Sequence, residues 1–334
     1  MKNLLNLQLF AEVQTTLLDG LSVEMKTFYD MTLIDEAAPA LVHEQFGQKR
    51  PIPKNGGKTI EFRKFSPLAK ATTPLTEGVT PDGKSLNVTN LTATVSQYGD
   101  FITQSDVLEL TSIDNTILEA TKLLGKQAGA TLDTVVRDIL VAGTNVSYAS
   151  KWAGDVETAV DSRKALDATC TLKVDTIQQV VAKLRAQNAP TINGKYVAII
   201  HPYVAYDLMR DPEWIDAHKY AQPENLYAGE IGEIAGVRFV QSTEAKIWKD
   251  STCPDGLAVF GCLFIGEGAY GTTEITGGGL QTIVKQKGSA GTADPLDQRS
   301  SVGWKAMKTA ERLVENYMVR VECCSKYSAT ANAN

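Results

Sequence analysis

Ile113, Ile117, Leu124, Ala128, Leu132, Val135 and Ile139 fall on one helical face, with Ala120 filling the gap between Ile117 and Leu124. Apolar residues at steps of three and four specify an amphipathic helix, and a stripe this long specifies a beam. Thr111 or Ser112 is the expected N-cap, Asp114 sits in the first turn, and Gly143 can close the end. About thirty residues of helix span roughly 45 Å, near three times the usual length. Gly125 and Gly129 weaken it by about 1 kcal/mol each relative to alanine, so their expected use is a slight bend or the close approach of another backbone.

Two alternating runs precede the helix. Ile60 and Phe62 alternate with Glu61 and Arg63, and Leu91, Ala93 and Val95 alternate with Thr92, Thr94 and Ser96. Between them lie roughly twenty residues holding Pro67, Pro74, Gly78, Pro81 and Gly83, a connection too long for an ordinary compact domain. The pattern predicts a long β-hairpin projecting from the body, with an ordinary mobile surface loop as the alternative. An isolated hairpin is marginally stable in water, so this one predicts a neighbouring molecule to lie on. Residues 1–50 read as helical fragments with one short stripe (Leu17, Leu18, Leu21, Met25), an arm that packs against something else.

Beyond the helix the pattern is mixed α/β. Val174–Gln187 and Tyr203–Met209 read as helices, and Tyr196–Ile200 and Leu257–Ile265 as buried strands. Strands with a glycine turn are expected over 229–242, weak alternation over 272–287, and strand-rich chain from Trp304 to Cys324. The small, polar tail after Ser325 is expected to fray.

Acidic residues outnumber basic ones 39 to 33, for a net charge of −6. A dedicated nucleic-acid binder would need the opposite balance. Five cysteines with no repeated framework suggest reduced thiols. The apolar start is broken by Asn6 and Gln8 and followed by Glu12, against a signal peptide, and no run is long enough to span a membrane.

Enzyme-like motifs fail on context. Gly266-Glu267-Gly268-Ala269-Tyr270-Gly271 is a literal GxGxxG after a strand, but Thr272–Thr276 favours another strand, and no helix N-terminus follows to hold a pyrophosphate. About twenty residues on stand Lys285, Gln286 and Lys287, with no acid for a ribose. His43, His201 and His218 are far apart, and the neighbours Cys323 and Cys324 point to opposite faces of a strand. No catalytic residue, cofactor or metal is expected. One charge cluster remains: Lys49, Arg50, Lys54, Lys58, Arg63, Lys64 and Lys70 are opposed only by Glu61. A solvated strand face explains most of this; the functional alternative is that the basic hairpin lies across an acidic neighbour, for instance the helix face bearing Glu119, Asp133 and Asp138. The expected contact residues on the hairpin are Arg63, Lys64, Pro74, Pro81, Asp82 and Lys84.

The order of arm, projecting hairpin, beam helix, mixed α/β body and returning strand resembles the tailed-phage capsid fold named after phage Hong Kong 97. The run from Ala293-Asp294-Pro295-Leu296-Asp297-Gln298-Arg299 to Trp304-Lys305 is similar to the signature of the major capsid family typified by the N-four podovirus. Gly236-Val237-Arg238-Phe239-Val240-Gln241-Ser242 and the opening Asn6-Leu7-Gln8-Leu9-Phe10-Ala11 resemble that family too. The resemblance implies an α+β chain with an N-terminal arm at 1–50, an E-loop at 51–111, a P-domain with spine helix at 112–205, an A-domain at 206–298, and a return strand and tail at 299–334. It further implies hexamers and pentamers forming an icosahedral head around double-stranded DNA. A portal would be a partner, as could scaffold or decoration proteins, with no sequence-specific DNA contacts and no membrane. The chain would be made in the host cytoplasm and kept in the virion. The alternatives are an encapsulin-like nanocompartment shell and a nucleotide-dependent enzyme using residues 266–271.

Overall fold

The computed structural model describes residues 23–37, 41–65, 68–75, 77–78, 80, 82–112, 116–154, 156–218, 231–289 and 294–334. The stripe at Leu17–Leu21, the opening motif at 6–11, Pro67, Pro81, Ile113, Asp114, Gly229, Glu230 and Ala293 lie outside the described residues. In chain order the elements used below are α1 (Val23–Ala37), β1 (Thr59–Phe65), β2 (Val88–Thr94), β3 (Ser96–Ser105), α2 (Asp106–Thr111) and α3 (Thr116–Val141). After these come α4 (Val174–Ala186), β4 (Tyr196–Ile200), α5 (Pro202–Met209), β5 (Val237–Gln241) and β6 (Val259–Ile265). The last are β7 (Tyr270–Glu274), β8 (Gln281–Lys285), β9 (Arg299–Arg312) and β10 (Met318–Cys323).

The chain divides into two compact units. The first comprises α1, residues 97–129 and residues 280–306. Here β8 pairs antiparallel with the start of β9, from Gln281↔Lys305 to Lys285↔Ser301, and β3 pairs with β9 as well. Trp304 turns to α3, where its indole N–H donates to Gln127 Oε1 at 3.3 Å. The Gln127 amide in turn donates to Asp100 of β3 at 2.6 Å. Gly125 serves close approach, one of its two expected uses: a Cβ there would stand 2.9 Å from the Leu33 carbonyl oxygen of α1. The beam α3 is described over the 26 residues Thr116–Val141, and the expected cap residues Thr111 and Ser112 instead end the separate short helix α2.

The second unit holds residues 40–96, 130–279 and 307–334. Its seven-stranded sheet has β10, β6, β4 and β5 in succession, extended by short strands at Val146–Tyr148 and Glu233–Ile234, with Ile247–Trp248 also on β6. β4 and β5 run parallel, whereas β6 is antiparallel to both β4 and β10. Strand alternation splits the core in two. Tyr196, Ala198, Ile200, Phe260, Cys262 and Phe264 face α4 and α5, burying Ile177, Leu184, Val204 and Leu208. Ile199, Leu263 and Ile265 face the other way, onto Val136 and Leu140 of α3. A strand buried on both faces reads as a continuous apolar run, which is why Tyr196–Ile200 is legible.

Two further elements complete this unit. β7 pairs with the end of β9, from Tyr270↔Arg312 to Glu274↔Lys308. The tail does not fray as composition suggested. Ala258 donates its N–H to the Ala329 carbonyl, the Ile247 N–H is accepted by the Asn334 side chain, and Ser325 bonds Asp207. Hydrogen bonds to the sheet and to α5, invisible in composition, hold it.

Candidate inter-subunit surfaces

The predicted hairpin forms with Phe62 opposite Leu91 and its ends at Thr59↔Thr94 and Phe65↔Val88. Its root is not free. Phe62 is 3% exposed, and its ring sits against Gly271, where any Cβ would meet it at 2.8 Å. Ala93 and Val95 are buried as well, so the hairpin buries part of its apolar face within its own chain. Towards the tip the pattern reverses: Phe65, Leu68, Leu75, Leu86 and Val88 are all exposed. Arg63 is exposed and Lys64 half-buried. Pro74, Asp82 and Lys84 are exposed too, and the Lys84 ammonium donates to the Ala69 carbonyl at 3.1 Å.

The acidic face expected on the beam does not exist as one surface. Glu119 is exposed and ion-paired with Lys122 at 2.7 Å, which raises the lysine's pKa. Asp133 is fully buried and bound to His43, so it is unavailable to a neighbour. Asp138 is half-exposed but lies between Arg137 at 2.9 Å and Lys246 at 3.6 Å. Five residues of helix turn the chain through about 140°, so Asp133 and Asp138 cannot share a face.

Sequence reasoning missed three features. One is the buried His43–Asp133 pair. Another is the charge cluster at Glu322, whose carboxylate is fully buried and takes both Nε and Nη2 of Arg163 at 2.7 Å, with Arg320 Nε at 2.9 Å. Both guanidiniums also lie over the Trp248 ring, at 4.1 and 5.4 Å. The third is α2, placed within the E-loop by analogy. Arg320 and Glu322 stand two apart on β10 and so share a face, but Arg163 lies 159 residues before Glu322, and no local signal joins it to them.

Nothing in the geometry revives the enzyme reading. After Gly266 and Gly268 comes β7, so no helix N-terminus points at the cleft lined by Lys195, Arg238 and Gly268. Lys195 is ion-paired to Glu233. The glycines answer to backbone needs: a Cβ at Gly266 would lie 2.7 Å from the Pro190 carbonyl, and Gly268 has φ +70°. Among the described residues no three histidine, cysteine or acidic side chains cluster to hold a metal. All five cysteines are buried and free, and burial pushes the Cys324 thiol up to about 12.

Comparison with known proteins agrees with this picture. A search of curated sequences finds no match. Among solved structures, the capsid of the cyanophage P-SCSP1u superposes with a TM-score of 0.64 at 14% identity, covering 84% of this chain and 87% of that one. The capsid of Ralstonia phage GP4 gives 0.64 at 13% identity, covering 86% and 89%. The virus-like particle from Pyrococcus furiosus gives 0.50 at 10% identity, covering 90% and 100%. At such identities these likenesses establish the fold, the Hong Kong 97 type. A family model described as phage capsid protein matches residues 88–317, from β2 to the start of β10. That match favours a phage shell over a nanocompartment or an enzyme. The chain belongs to the phage capsid protein family and is a structural shell subunit.

Proposed function

We propose that this subunit tiles as hexamers and pentamers into an icosahedral head around double-stranded DNA, and that the hairpin tip carries contacts between subunits. The observation behind the second statement is the hairpin's divided burial: Phe62 anchors the root while Phe65, Leu75, Leu86 and Val88 face solvent. Arg63, Lys64, Pro74, Asp82 and Lys84 supply the polar part of that contact, and Glu119, exposed beside its partner Lys122, is an acid at the surface of the beam that it can meet. Many modest contacts repeated around a closed shell give a durable assembly even where each is weak. A net charge of −6 suits a wall that must not hold DNA tightly. The chain is made in the host cytoplasm and meets a portal, with scaffold and decoration proteins as further partners.

Negative-stain electron microscopy with light scattering tests this. Closed shells or rings of five and six support the reading, and deletion of residues 71–85 should leave a folded body that forms none. Normal shells from the deletion variant would falsify the hairpin's role. Nuclease-protected DNA inside particles separates the phage head from a protein-filled nanocompartment.

A further inference from the structure

α2 is a helix that buries nothing. Val107 is 62% exposed, Leu108 47% and Leu110 79%, although the helix is well fastened at both ends. Ser105 Oγ accepts the Leu108 N–H, the Thr111 hydroxyl donates to the Val107 carbonyl at 2.7 Å, and Ser112 N–H donates to the Leu108 carbonyl at 2.9 Å. So short a helix has little stability of its own, and local caps hold it with its apolar residues turned outward. The loop after β8 flanks it twice. Lys287 ion-pairs with Glu109 at 3.0 Å, and the Asp106 N–H donates to the Gln298 carbonyl at 2.9 Å. Two residues before Gln298 stands Leu296, 75% exposed. It sits on a built turn: Asp294 accepts the Arg299 N–H on its carboxylate at 2.8 Å and the Asp297 N–H on its carbonyl at 3.1 Å. Exposed leucines on fastened backbone, gathered in one place, mark an interaction surface.

We infer that this patch, Val107, Leu108, Leu110 and Leu296 with Glu109 and Lys287 at its rim, is a self-complementary contact with the same patch on another copy of this chain. The inference rests on the shell reading, which supplies the copies. The charges select the occupant. The rim carries both signs, through Glu109 with Lys287 and Asp294 with Arg299, so one patch can offer acid to its partner's base and base to its partner's acid. A contact across a two-fold axis needs that property, because there one surface must supply both halves. The contact is distinct from the hairpin tip.

Glu109→Lys makes the rim basic and Lys287→Glu makes it acidic. Each variant alone should need about tenfold more protein to assemble than wild type, because like charges then face each other between copies. Mixed in equal amounts, the two should co-assemble to within about twofold of wild type, because basic and acidic rims then alternate. Failure of the mixture to recover would overturn the inference, since it would show that the pair acts only within one chain. Single variants that assemble normally would overturn it too. Leu110→Gln with Leu296→Gln should raise the assembly concentration while leaving thermal melting of the unassembled subunit unchanged, as both side chains are exposed. Unaltered shells from that variant would remove the apolar half of the contact. A wild-type chain that stays monomeric at every concentration would overturn the shell reading and this contact together.

Discussion

His43 Nδ1 lies 2.6 Å from Asp133 Oδ2, and Oδ1 of the same carboxylate accepts the backbone N–H of His43 at 2.7 Å. The Tyr270 hydroxyl donates to the His43 carbonyl at 2.5 Å, and burial raises the phenol's pKa so that it remains a donor. One buried carboxylate and one buried phenol thus tie the segment after α1 to α3 and β7. Asp133→Ala would leave the His43 ring and backbone N–H without an acceptor, at a cost of about 3 kcal/mol. Asp133→Asn keeps one acceptor and should cost less. Urea midpoints of the unassembled subunits give the order wild type, asparagine, alanine; an alanine variant as stable as wild type would remove this pair from the account.

Glu322 binds two arginines in the core, and the pKa directions record how unequal their positions are. The hydrogen bonds that Arg163 donates to Glu322 raise its pKa, whereas burial lowers that of Arg320. Arg320 also caps α3, with its Nη1 bonded to the carbonyls of Val141 and Gly143. Removing the carboxylate strands two cations, so Glu322→Gln should destabilise by about 3–5 kcal/mol. Fluorescence of Trp248, which lies under both guanidiniums, should change alongside the melting temperature. A variant that melts with wild type would show that the arginines find other partners.

The legible parts of this fold are the ones whose pattern is local. The stripe from Ile117 to Ile139 predicted α3, and alternation at Thr59–Phe65 and Leu91–Val95 predicted the hairpin, because periodicity is set by the element's own geometry. The helix α2, DVLELT, is too short for a period to register. His43 and Asp133 are 90 residues apart, and no local signal joins them. The separation of Asp133 from Asp138 around the helix was readable from a step of five, but grouping charges by proximity along the chain hid it. For the interaction surface, sequence pointed to the hairpin tip; the exposed side chains of α2 and Leu296 emerged only from burial.

Gly125 sets helix propensity against packing. Alanine in a helix interior gains about 1 kcal/mol over glycine. Here its Cβ would stand 2.9 Å from the Leu33 carbonyl oxygen and 3.0 Å from Glu36 Cβ, so α1 would have to shift. Forced overpacking typically costs about 1–3 kcal/mol, which outweighs the gain. Gly125→Ala should therefore lower the melting temperature of the unassembled subunit. A rise would mean that α1 yields without penalty.

Asp167 ties stability to acid pH. Its carboxyl is lowered from 3.8 to about 2, chiefly by the Thr169 hydroxyl at 2.5 Å, with further help from the Thr169 backbone N–H at 2.8 Å and Lys151 at 3.3 Å. A carboxylate depressed on folding contributes stability that is full above its unfolded value and is lost as pH falls through the folded one. The window is therefore about pH 4 down to about pH 2. The side chain is 41% exposed, so solvent screening cuts the contribution to about 1 kcal/mol. Asp167→Asn should lose that amount at neutral pH and show a correspondingly flatter decline of stability between those two pH values. Parallel acid profiles for variant and wild type would assign the acid sensitivity to other carboxylates.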